Sequence, residues 1–345
     1  MSIRYSGKAL DANKELNALS LAGVGRGTVL EFVEVYAGAD DGFEIWGGAV
    51  NSRYLVASYC SDEMFDMDQG HEGKHQFWFG LQAISGDEGV ELNGQPSGGS
   101  NVNVAGAPPL GRHQIYNATI IGEGGPGSGS DAMNTRSDYY GSIHNSIFMQ
   151  FQGRDQVSSV PTYNGTVTHN VFWENVGGRG IVDLANNAFA DPLLVMIDRG
   201  QNEALDPRPA ANSPVFTGAM EAPKDGFFVA APYKGAFKDA QWALDWTALT
   251  DNLHLKPVAQ ALVCEYPAEA TVAVEPPVLT ARLDGSNVVL TFASQAGVKY
   301  QVQTRAAFGA GDWVNQGGLL DGNGQTLTHT ETVETANKFF RVLAQ

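Results

Sequence analysis

Short runs in which apolar and polar residues alternate recur along the first part of the chain. Phe43-Glu44-Ile45-Trp46 recurs as Phe65-Asp66-Met67-Asp68 and, more weakly, as Val90-Glu91-Leu92, with sequence offsets of 22 and then 25. An apolar side chain at every second position is typical of a strand with one buried face and not of a helix. The pattern therefore predicts a set of short strands that repeats along the chain.

A repeat of this length, built from short strands and glycine turns, is typical of a solenoid in which each coil stacks on the one before it. The leucine-rich horseshoe has a similar period, but the fixed framework of leucine and asparagine that it requires is absent from this sequence. The sequence therefore predicts an all-β protein built on a right-handed parallel β-helix.

A second series of repeated positions lies further along the chain. Ile115-Tyr116-Asn117, Ile143-His144-Asn145 and Thr168-His169-Asn170 recur with offsets of 28 and then 25. Asparagine tolerates left-handed backbone and hydrogen-bonds within its own turn. We therefore expect the three asparagines to stack in successive coils and to hydrogen-bond one another's amides.

The domain organisation follows from where these patterns change. Residues 1–255 are predicted to form the β-helix, closed at its C-terminal end by a capping turn at residues 242–246. Residues 256–277 are apolar but interrupted by prolines, which predicts a linker. Residues 278–345 alternate between glycine turns, which predicts a small antiparallel β-sandwich.

The composition limits the classes of partner. The 345 residues include 41 glycines, which fits many tight turns, and they carry a formal net charge of −17. That charge repels nucleic acids and anionic membrane surfaces and favours cations or neutral partners. The sequence contains no apolar stretch long enough for a membrane-spanning helix. The first residues lack the pattern of a signal peptide, so we expect either a cytoplasmic protein or a mature fragment.

Several segments carry a resemblance to a known family: residues 39–44, 47–48, 65–70, 206–214 and 233–237, with Trp242 and Trp246. They resemble bacterial secreted and surface proteins with pectate-lyase-like β-helices, common in Bacteroidetes- and Verrucomicrobia-like genomes. The resemblance covers roughly residues 3 to 250, and it implies a secreted or cell-surface protein without an agreed activity. Family members usually have a signal peptide and further N-terminal coils, so we expect this chain to be a fragment. Its final domain resembles small β modules appended to such proteins.

Carboxylates follow the outward positions of the repeated strands. Glu44, Asp66 and Asp68 are predicted mid-strand, and Asp41 and Glu63 lie in the turns before them. Equivalent positions in neighbouring coils are about 4.8 Å apart. Two carboxylates about 5 Å apart repel by ~3 kcal/mol at an effective dielectric constant near 20. Because calcium prefers oxygen ligands with flexible geometry, we predict a calcium site here, the alternative being ordinary turn residues on a solvated face.

Basic groups near these carboxylates also permit an enzyme. Arg53, Lys74 and His75 are predicted beside the acidic face, where one of them could remove the proton next to a calcium-bound uronate carboxylate, as in a polysaccharide lyase. A glycoside hydrolase needs two carboxylates across the scissile bond, for which Asp66 and Asp68 are candidates.

Two tryptophans are candidates for contact with sugar rings. Trp46 and Trp78 are both predicted to point outward, and Phe77 and Phe79 are predicted to lie in the core on either side of Trp78. An exposed indole offers a flat apolar face with a polar edge, which suits stacking on a sugar.

Three hypotheses for the function follow from these residues. The first is an extracellular or cell-surface protein with a carbohydrate-facing binding or structural role and a calcium site, whose C-terminal module mediates attachment. The second is a polysaccharide lyase or glycoside hydrolase acting along the acidic and aromatic face. The third is a passive stalk or adhesin segment. The expected partner is a polysaccharide or cell-surface glycan and not a nucleic acid, and the oligomeric state stays open.

Overall fold

The structure is a computed structural model. The chain folds into two compact units, which consist of residues 1–267 and residues 268–345. The predicted boundaries 1–255 and 278–345 fall inside these units, and most of the predicted linker 256–277 lies outside the described residues. The structure describes residues 1–8, 10–11, 16–82, 85–94, 110–125, 130–136, 139–153, 157–160, 165–177, 186–258, 277–305, 313–332 and 338–344.

The first unit is built almost entirely from short strands. A 3₁₀ helix at Pro214–Phe216 and a helix α1 at Ala248–Asp251 follow the last of them. In chain order the strands are β1 (Ser2–Arg4), β2 (Leu19–Ala22), β3 (Val29–Tyr36), β4 (Phe43–Trp46), β5 (Asn51–Ser58), β6 (Phe65–Asp68), β7 (Lys74–Leu81), β8 (Val90–Asn93), β9 (Gln114–Tyr116), β10 (Thr119–Ile121), β11 (Met133–Arg136), β12 (Ser142–His144), β13 (Ile147–Met149), β14 (Val157–Val160), β15 (Thr166–Thr168), β16 (Val171–Trp173), β17 (Leu194–Met196) and β18 (Asp206–Pro209).

Strands β1 to β16 form the predicted parallel β-helix of about five turns, and β17 and β18 pair antiparallel as a separate two-stranded sheet. One sheet has the order β1-β3-β5-β7-β10-β13-β16, with β9, β12 and β15 beside it, and the other has the order β2-β4-β6-β8-β11-β14. Within both sheets every pairing is parallel, and each strand pairs with strands one coil before and after it. Phe43 pairs with Phe65, and Phe65 pairs with Val90, so both predicted offsets are confirmed.

Stacked aromatic rings fill part of the space between the two sheets. The rings of Phe43 and Phe65 stack at 5.4 Å between centroids, and those of Phe65 and Trp78 stack at 4.3 Å. All three side chains are fully buried. Because neighbouring coils repeat the same inward positions, like residues stack on like along the axis, which gives the coil a continuous core.

The orientation predicted for Trp78 is wrong, and the cause is one extra residue. The register between β5 and β7 pairs Ser52 with His75 and Leu55 with Trp78, one residue more than the spacing that relates β4 to β6. A one-residue shift moves every side chain of a strand to the opposite face. Trp78 therefore points into the core, and Phe77 and Phe79 point to the outer face of the sheet.

A segment that follows the coils covers this outer face. Residues 215–255 pack on it as an ordered but mostly irregular chain, and we call them the cap segment. The Phe79 ring meets the Phe237 ring at 5.1 Å, and the Tyr54 ring meets the Trp242 ring at 5.2 Å. Outward aromatic side chains of the large sheet are therefore buried in a second hydrophobic cluster outside the coil.

The asparagine series differs from the prediction in both register and partners. β9, β12 and β15 pair so that His169, not Asn170, follows Asn117 and Asn145. These three residues have φ between 52° and 63°, the left-handed region. Asn117 donates to the carbonyl of Tyr233 and Asn145 to that of Met220, so both bind the cap segment and not one another. The last coil of the series is one residue shorter than predicted, which is why the third asparagine is out of line.

Gln76 joins the coil to the cap segment through both ends of its amide. Its Oε1 accepts from the Val229 N–H at 2.8 Å, and its Nε2 donates to the Val229 carbonyl and to Asn117 Oδ1, both at 3.0 Å. We expect Gln76→Ala to destabilise the protein by roughly 1–3 kcal/mol for each buried group left unsatisfied. Urea unfolding and hydrogen exchange at the Val229 amide measure the effect.

The control for this prediction is Gln114→Ala, because Gln114 is half-buried on the same sheet and its side chain makes no hydrogen bond among the described residues. Equal losses for both variants, with the Val229 amide still protected in Gln76→Ala, would contradict the role assigned to Gln76.

The second unit contains two antiparallel sheets of three strands. Apolar residues from both sheets share one small core, as in the predicted β-sandwich. The sheet orders are β19-β20-β23 and β22-β21-β24. The strands are β19 (Thr280–Asp284), β20 (Asn287–Ala293), β21 (Lys299–Arg305), β22 (Val314–Asp321), β23 (Thr326–Thr332) and β24 (Phe339–Ala344).

Among the described residues, no helix has both the length and the apolar character needed to span a membrane.

Candidate functional site

A row of carboxylates crosses the six-stranded sheet from coil to coil. Glu44 on β4 pairs with Asp66 on β6, and Asp66 pairs with Glu91 on β8. Asp41 and Glu63 lie in the turns before these strands, where the Glu63 N–H donates to Asp41 Oδ1 at 3.2 Å. We call these five residues the acidic ladder. The repeat places them together because each coil contributes a carboxylate at the same point of its path.

Carboxylate oxygens form four compact groups among the described residues, and two of these groups contain at least two ladder residues. In the first group, Asp41, Glu44 and Asp66 each offer one carboxylate oxygen, and these oxygens lie within 4.8 Å of one another. In the second, Glu63 and Glu91 do the same together with Glu88. Each of these two groups joins two neighbouring coils, so the ladder offers oxygen ligands over three coils.

These carboxyl groups are held in an environment that disfavours their charge. Burial, followed by the negative charges of Asp41 and Asp40, raises the pKa of Glu44 to about 8. Burial also raises the pKa of Asp41 to about 7 and raises the pKa of Glu63. Burial and the charges of its ladder neighbours raise the pKa of Asp66 well above its usual range. Near neutral pH the ladder therefore holds protons or needs a cation to replace them.

One ladder oxygen has no partner at all within the described structure. Asp66 Oδ1 is buried and makes no hydrogen bond there. A buried oxygen of a carboxylate without a donor is costly, and such atoms in folded proteins usually have a partner such as water or an ion. The Asp66 carboxylate belongs to the first oxygen group, so the orphaned acceptor and the clustered carboxylates point to the same place.

Asp68 belongs to neither oxygen group, although it was predicted as a ligand and as a catalytic acid. It is buried opposite Trp46, and its Oδ1 accepts from the Gln69 N–H at 2.5 Å. That contact stabilises the turn after β6, where Gln69 has a φ of 54°. This hydrogen bond in the turn accounts for the buried position of Asp68.

Two predicted catalytic bases lie on the other sheet, away from the ladder strands. Arg53 on β5 forms an ion pair with Glu31 at 2.6 Å, and its guanidinium lies 5.1 Å from the centre of the Phe227 ring. Lys74 on β7 forms an ion pair with Asp225 at 2.6 Å. Both side chains bind neighbours on their own sheet or on the cap segment. The prediction that they flank the acidic face is wrong, because these strands follow the turn to a different sheet.

The third predicted base, His75, is fully buried inside the coil. Trp78 Nε1 donates to Ser52 Oγ at 2.9 Å, Ser52 Oγ lies 2.9 Å from His75 Nδ1, and His75 Nε2 lies 3.0 Å from His71 Nε2. This series of contacts ends at His71, whose Nδ1 lies 2.9 Å from the Gly47 carbonyl oxygen.

The protonation states of His71 and His75 follow from the last acceptor in this series of hydrogen bonds, the Gly47 carbonyl oxygen. A carbonyl only accepts, so Nδ1 of His71 carries a proton and its Nε2 accepts from His75. Ser52 then donates to His75 Nδ1. Burial lowers the pKa of His71 to about 4 and lowers that of His75 well below its usual range, so both rings are neutral. His75 is therefore part of the core and not a base beside the ladder.

The two predicted sugar platforms have different surroundings. Trp78 has an exposed fraction of 0 %, which excludes stacking on a sugar. Trp46 is half-buried at the end of β4, on the same face of the strand as Glu44 two residues before it. Only Trp46 remains beside the ladder as a candidate for contact with a ligand.

Sequence reasoning missed a third histidine, His113, in the buried cluster with His71 and His75. His113 stacks on His71 at 5.7 Å between ring centroids, and neither of its ring nitrogens has a hydrogen-bond partner within the described structure. Burial lowers its pKa well below the usual range. Both histidines lie in turns, and no spacing in the sequence places them together.

The sequence of the coils matches one family model. A model described as a pectate-lyase-like β-helix domain matches residues 1–193, which is more than half of the chain. The chain belongs to the pectate-lyase-like β-helix family. No curated protein matched the sequence.

Membership of the pectate-lyase-like β-helix family supports a carbohydrate-related or structural role in general. The acidic ladder lies wholly within the matched residues, since it runs from Asp41 to Glu91. The site is therefore part of the family's domain and not of the second unit.

Proposed function

We propose that the protein is an extracellular or cell-surface bacterial β-helix that faces carbohydrate and binds calcium on its acidic ladder. The observation that carries this proposal is the group formed by Asp41, Glu44 and Asp66. One oxygen from each lies within 4.8 Å of the others, and the Asp66 carboxylate has a buried oxygen without a hydrogen-bond partner among the described residues. A divalent cation there replaces the protons that the raised pKa values imply.

The donor set favours calcium over a transition metal. Both oxygen groups consist of carboxylates alone, without histidine or cysteine. Calcium takes six to eight oxygen ligands at about 2.3–2.6 Å in variable geometry, whereas zinc and copper prefer nitrogen or sulfur. The three carboxylates supply the first ligands, and water or ligand oxygens complete the shell.

The carbohydrate role follows from the position of this site on the family's fold. A calcium ion held by the ladder leaves coordination positions for oxygens of a sugar, above all the carboxylate of a uronate. Trp46 lies beside the site on the same strand as Glu44. We favour binding over a lyase reaction because Arg53, Lys74 and His75 lie away from the ladder strands, on the other sheet or inside the coil.

A glycoside hydrolase is the second candidate, favoured by one observation. Glu44, with a pKa of about 8, is a protonated acid at neutral pH next to Asp66. Retaining hydrolases use two carboxyl groups roughly 5–5.5 Å apart. A hydrolase requires turnover that Glu44→Gln abolishes while the folded structure persists.

The test of the calcium proposal is thermal unfolding in EDTA, followed by titration with calcium or magnesium. A ligand that binds only the folded state raises stability by about 2.7 kcal/mol at a hundredfold excess over Kd. We expect a calcium-specific rise in the melting temperature that Asp66→Asn and Glu44→Gln each remove. The control is Asp245→Asn, because Asp245 is exposed on the same unit and distant in sequence from the ladder.

An unchanged melting temperature across the calcium titration would contradict the cation site and leave a passive scaffold as the remaining role. A calcium response that survives in both ladder variants would place the site elsewhere in the chain.

A further inference from the structure

The second unit holds two arginines against one tryptophan. The guanidinium carbons of Arg305 and Arg341 lie 4.7 and 4.4 Å from the centre of the Trp313 ring. Gln303 on β21 pairs with Asn315 on β22 and with Arg341 on β24. Side chains two residues apart on a strand share a face, so Arg305 lies on the same face as Gln303. We call these five residues the arginine face.

These two arginines differ from the other cations of the unit in lacking an acidic partner. Within the described residues, neither guanidinium forms an ion pair, and the buried Nε of Arg305 has no acceptor. A guanidinium keeps its charge at every ordinary pH, so its unused donors favour an anion. The cations with acidic partners are Lys299 with Asp321, Lys338 with Glu331, and Arg282 with Asp284.

A row of hydrogen bonds across three strands holds one of the arginines in place. Arg341 Nε donates to Gln303 Oε1 at 2.7 Å, and Gln303 Nε2 donates to Asn315 Oδ1 at 2.7 Å. The terminal N–H groups of Arg341 and the exposed amide nitrogen of Asn315 stay available. Side chains ordered before binding lose less entropy when a ligand arrives.

The charge of the chain is concentrated away from this face. Residues 268–345 contain five basic and seven acidic residues, whereas the whole chain has a net charge of −17. The second unit is therefore close to neutral, and its unpaired arginines are not offset by a general excess of acid.

We propose that the arginine face binds the carboxylate of a uronate-type sugar. Planar guanidinium groups match a carboxylate with two parallel hydrogen bonds, and the amide of Asn315 offers a donor for a neighbouring sugar hydroxyl. The face binds without calcium, so it acts independently of the acidic ladder. A nucleic acid is not the occupant, because its binding relies on many phosphate contacts, and this face offers only two guanidinium groups in a unit with five basic residues.

The test is isothermal titration calorimetry of the full chain in EDTA at low salt with an oligogalacturonate. We expect saturable binding that weakens at least tenfold in Arg305→Gln and in Arg341→Gln and that falls with added salt. A neutral galactose oligosaccharide of the same length is expected not to bind. The control is Lys299→Gln, which removes one positive charge from the same strand but from a residue already paired with Asp321. Circular dichroism confirms that each variant is folded.

The outcomes separate this proposal from the calcium site. Binding that persists in Asp66→Asn supports an independent face, even if the calcium titration fails. Acetate binding as tightly as the oligosaccharide would support the carboxylate contact but overturn the sugar as its source. Absence of saturation, or equal loss in Lys299→Gln, would overturn the proposal.

Discussion

We expect the metal-free protein to lose stability as the pH rises from about 6.5 to 8. The raised pKa values of Asp41 and Glu44, about 7 and 8, mean that the folded state holds protons in this range. In the unfolded chain the same carboxyl groups have pKa values near 4 and are already ionised. The folded state therefore binds more protons than the unfolded state, and linkage makes stability fall as pH rises. Over this range the loss is about 1.6 kcal/mol for Glu44 and about 0.8 kcal/mol for Asp41, which is already half ionised at pH 7.

The buried histidines act in the opposite direction to the ladder over this range. Burial lowers the pKa values of His71, His75 and His113, so their contribution to stability is lost as the pH falls through the unfolded value near 6.5. In the unfolded state these rings are about half protonated at pH 6.5 and lose their remaining protons above it, which adds a smaller rise in stability with pH. This rise is common to the wild type and to Glu44→Gln, so the difference between their slopes reports the carboxyl group.

Circular dichroism melts in EDTA at pH 6.5, 7.25 and 8 measure the slope. Glu44→Gln should flatten it and raise the melting temperature at pH 8, because an amide has no charge to bury. Asp245→Asn, on an exposed aspartate, should leave the slope unchanged. Saturating calcium should also remove most of the slope, since the cation replaces the protons. A melting temperature that stays level or rises with pH in EDTA would contradict the burial of ionisable carboxyls in the ladder.

The repeat itself could be predicted from the sequence because the apolar-polar alternation in each coil indicates how its strand pairs with the next. Phe43, Phe65 and Val90 begin equivalent apolar-polar alternations, and the structure pairs them in that order. The same alternation placed Glu44 beside Asp66. Both the fold and the first oxygen group of the site were therefore accessible from local pattern alone.

The faces of β7 could not be predicted because of one residue in a turn. The loop between β6 and β7 is one residue longer than the loop between β4 and β5. His75 therefore pairs with Ser52 and not with Arg53. A strand that is apolar on both sides, as Phe77-Trp78-Phe79 is, gives no alternation to reveal the shift. This unrecognised shift explains why both His75 and Trp78 were predicted on the outer face of the sheet, although both point into the coil.

The partners of the outward basic residues Lys74 and Arg53 could not be predicted from the sequence either. Lys74 pairs with Asp225, and Arg53 lies against Phe227, both of them far away along the chain. Both partners belong to the cap segment, which contains no strand and no repeat. Without a period, its register on the coil depends on tertiary contacts that local pattern does not contain.

We expect Trp78→Ala to destabilise the first unit by about 3–5 kcal/mol, the range for removing a large buried aromatic side chain. The substitution removes the stack on Phe65, at 4.3 Å between ring centroids, and the hydrogen bond to Ser52. It also opens a cavity between two coils that a repeated core cannot easily close. Urea unfolding followed by circular dichroism measures the loss.

Two further variants show which part of Trp78 matters. Trp78→Phe keeps an aromatic ring on Phe65 but leaves Ser52 without its donor, so we expect a loss of about 1–2 kcal/mol. Trp46→Ala, on the half-buried indole at the end of β4, should cost less than Trp78→Ala, because less apolar surface returns to water. If Trp78 were exposed to solvent, as the sequence pattern alone implies, Trp78→Ala would change stability by only about 0.5 kcal/mol. A small effect of that size would contradict the burial of Trp78 against Phe65.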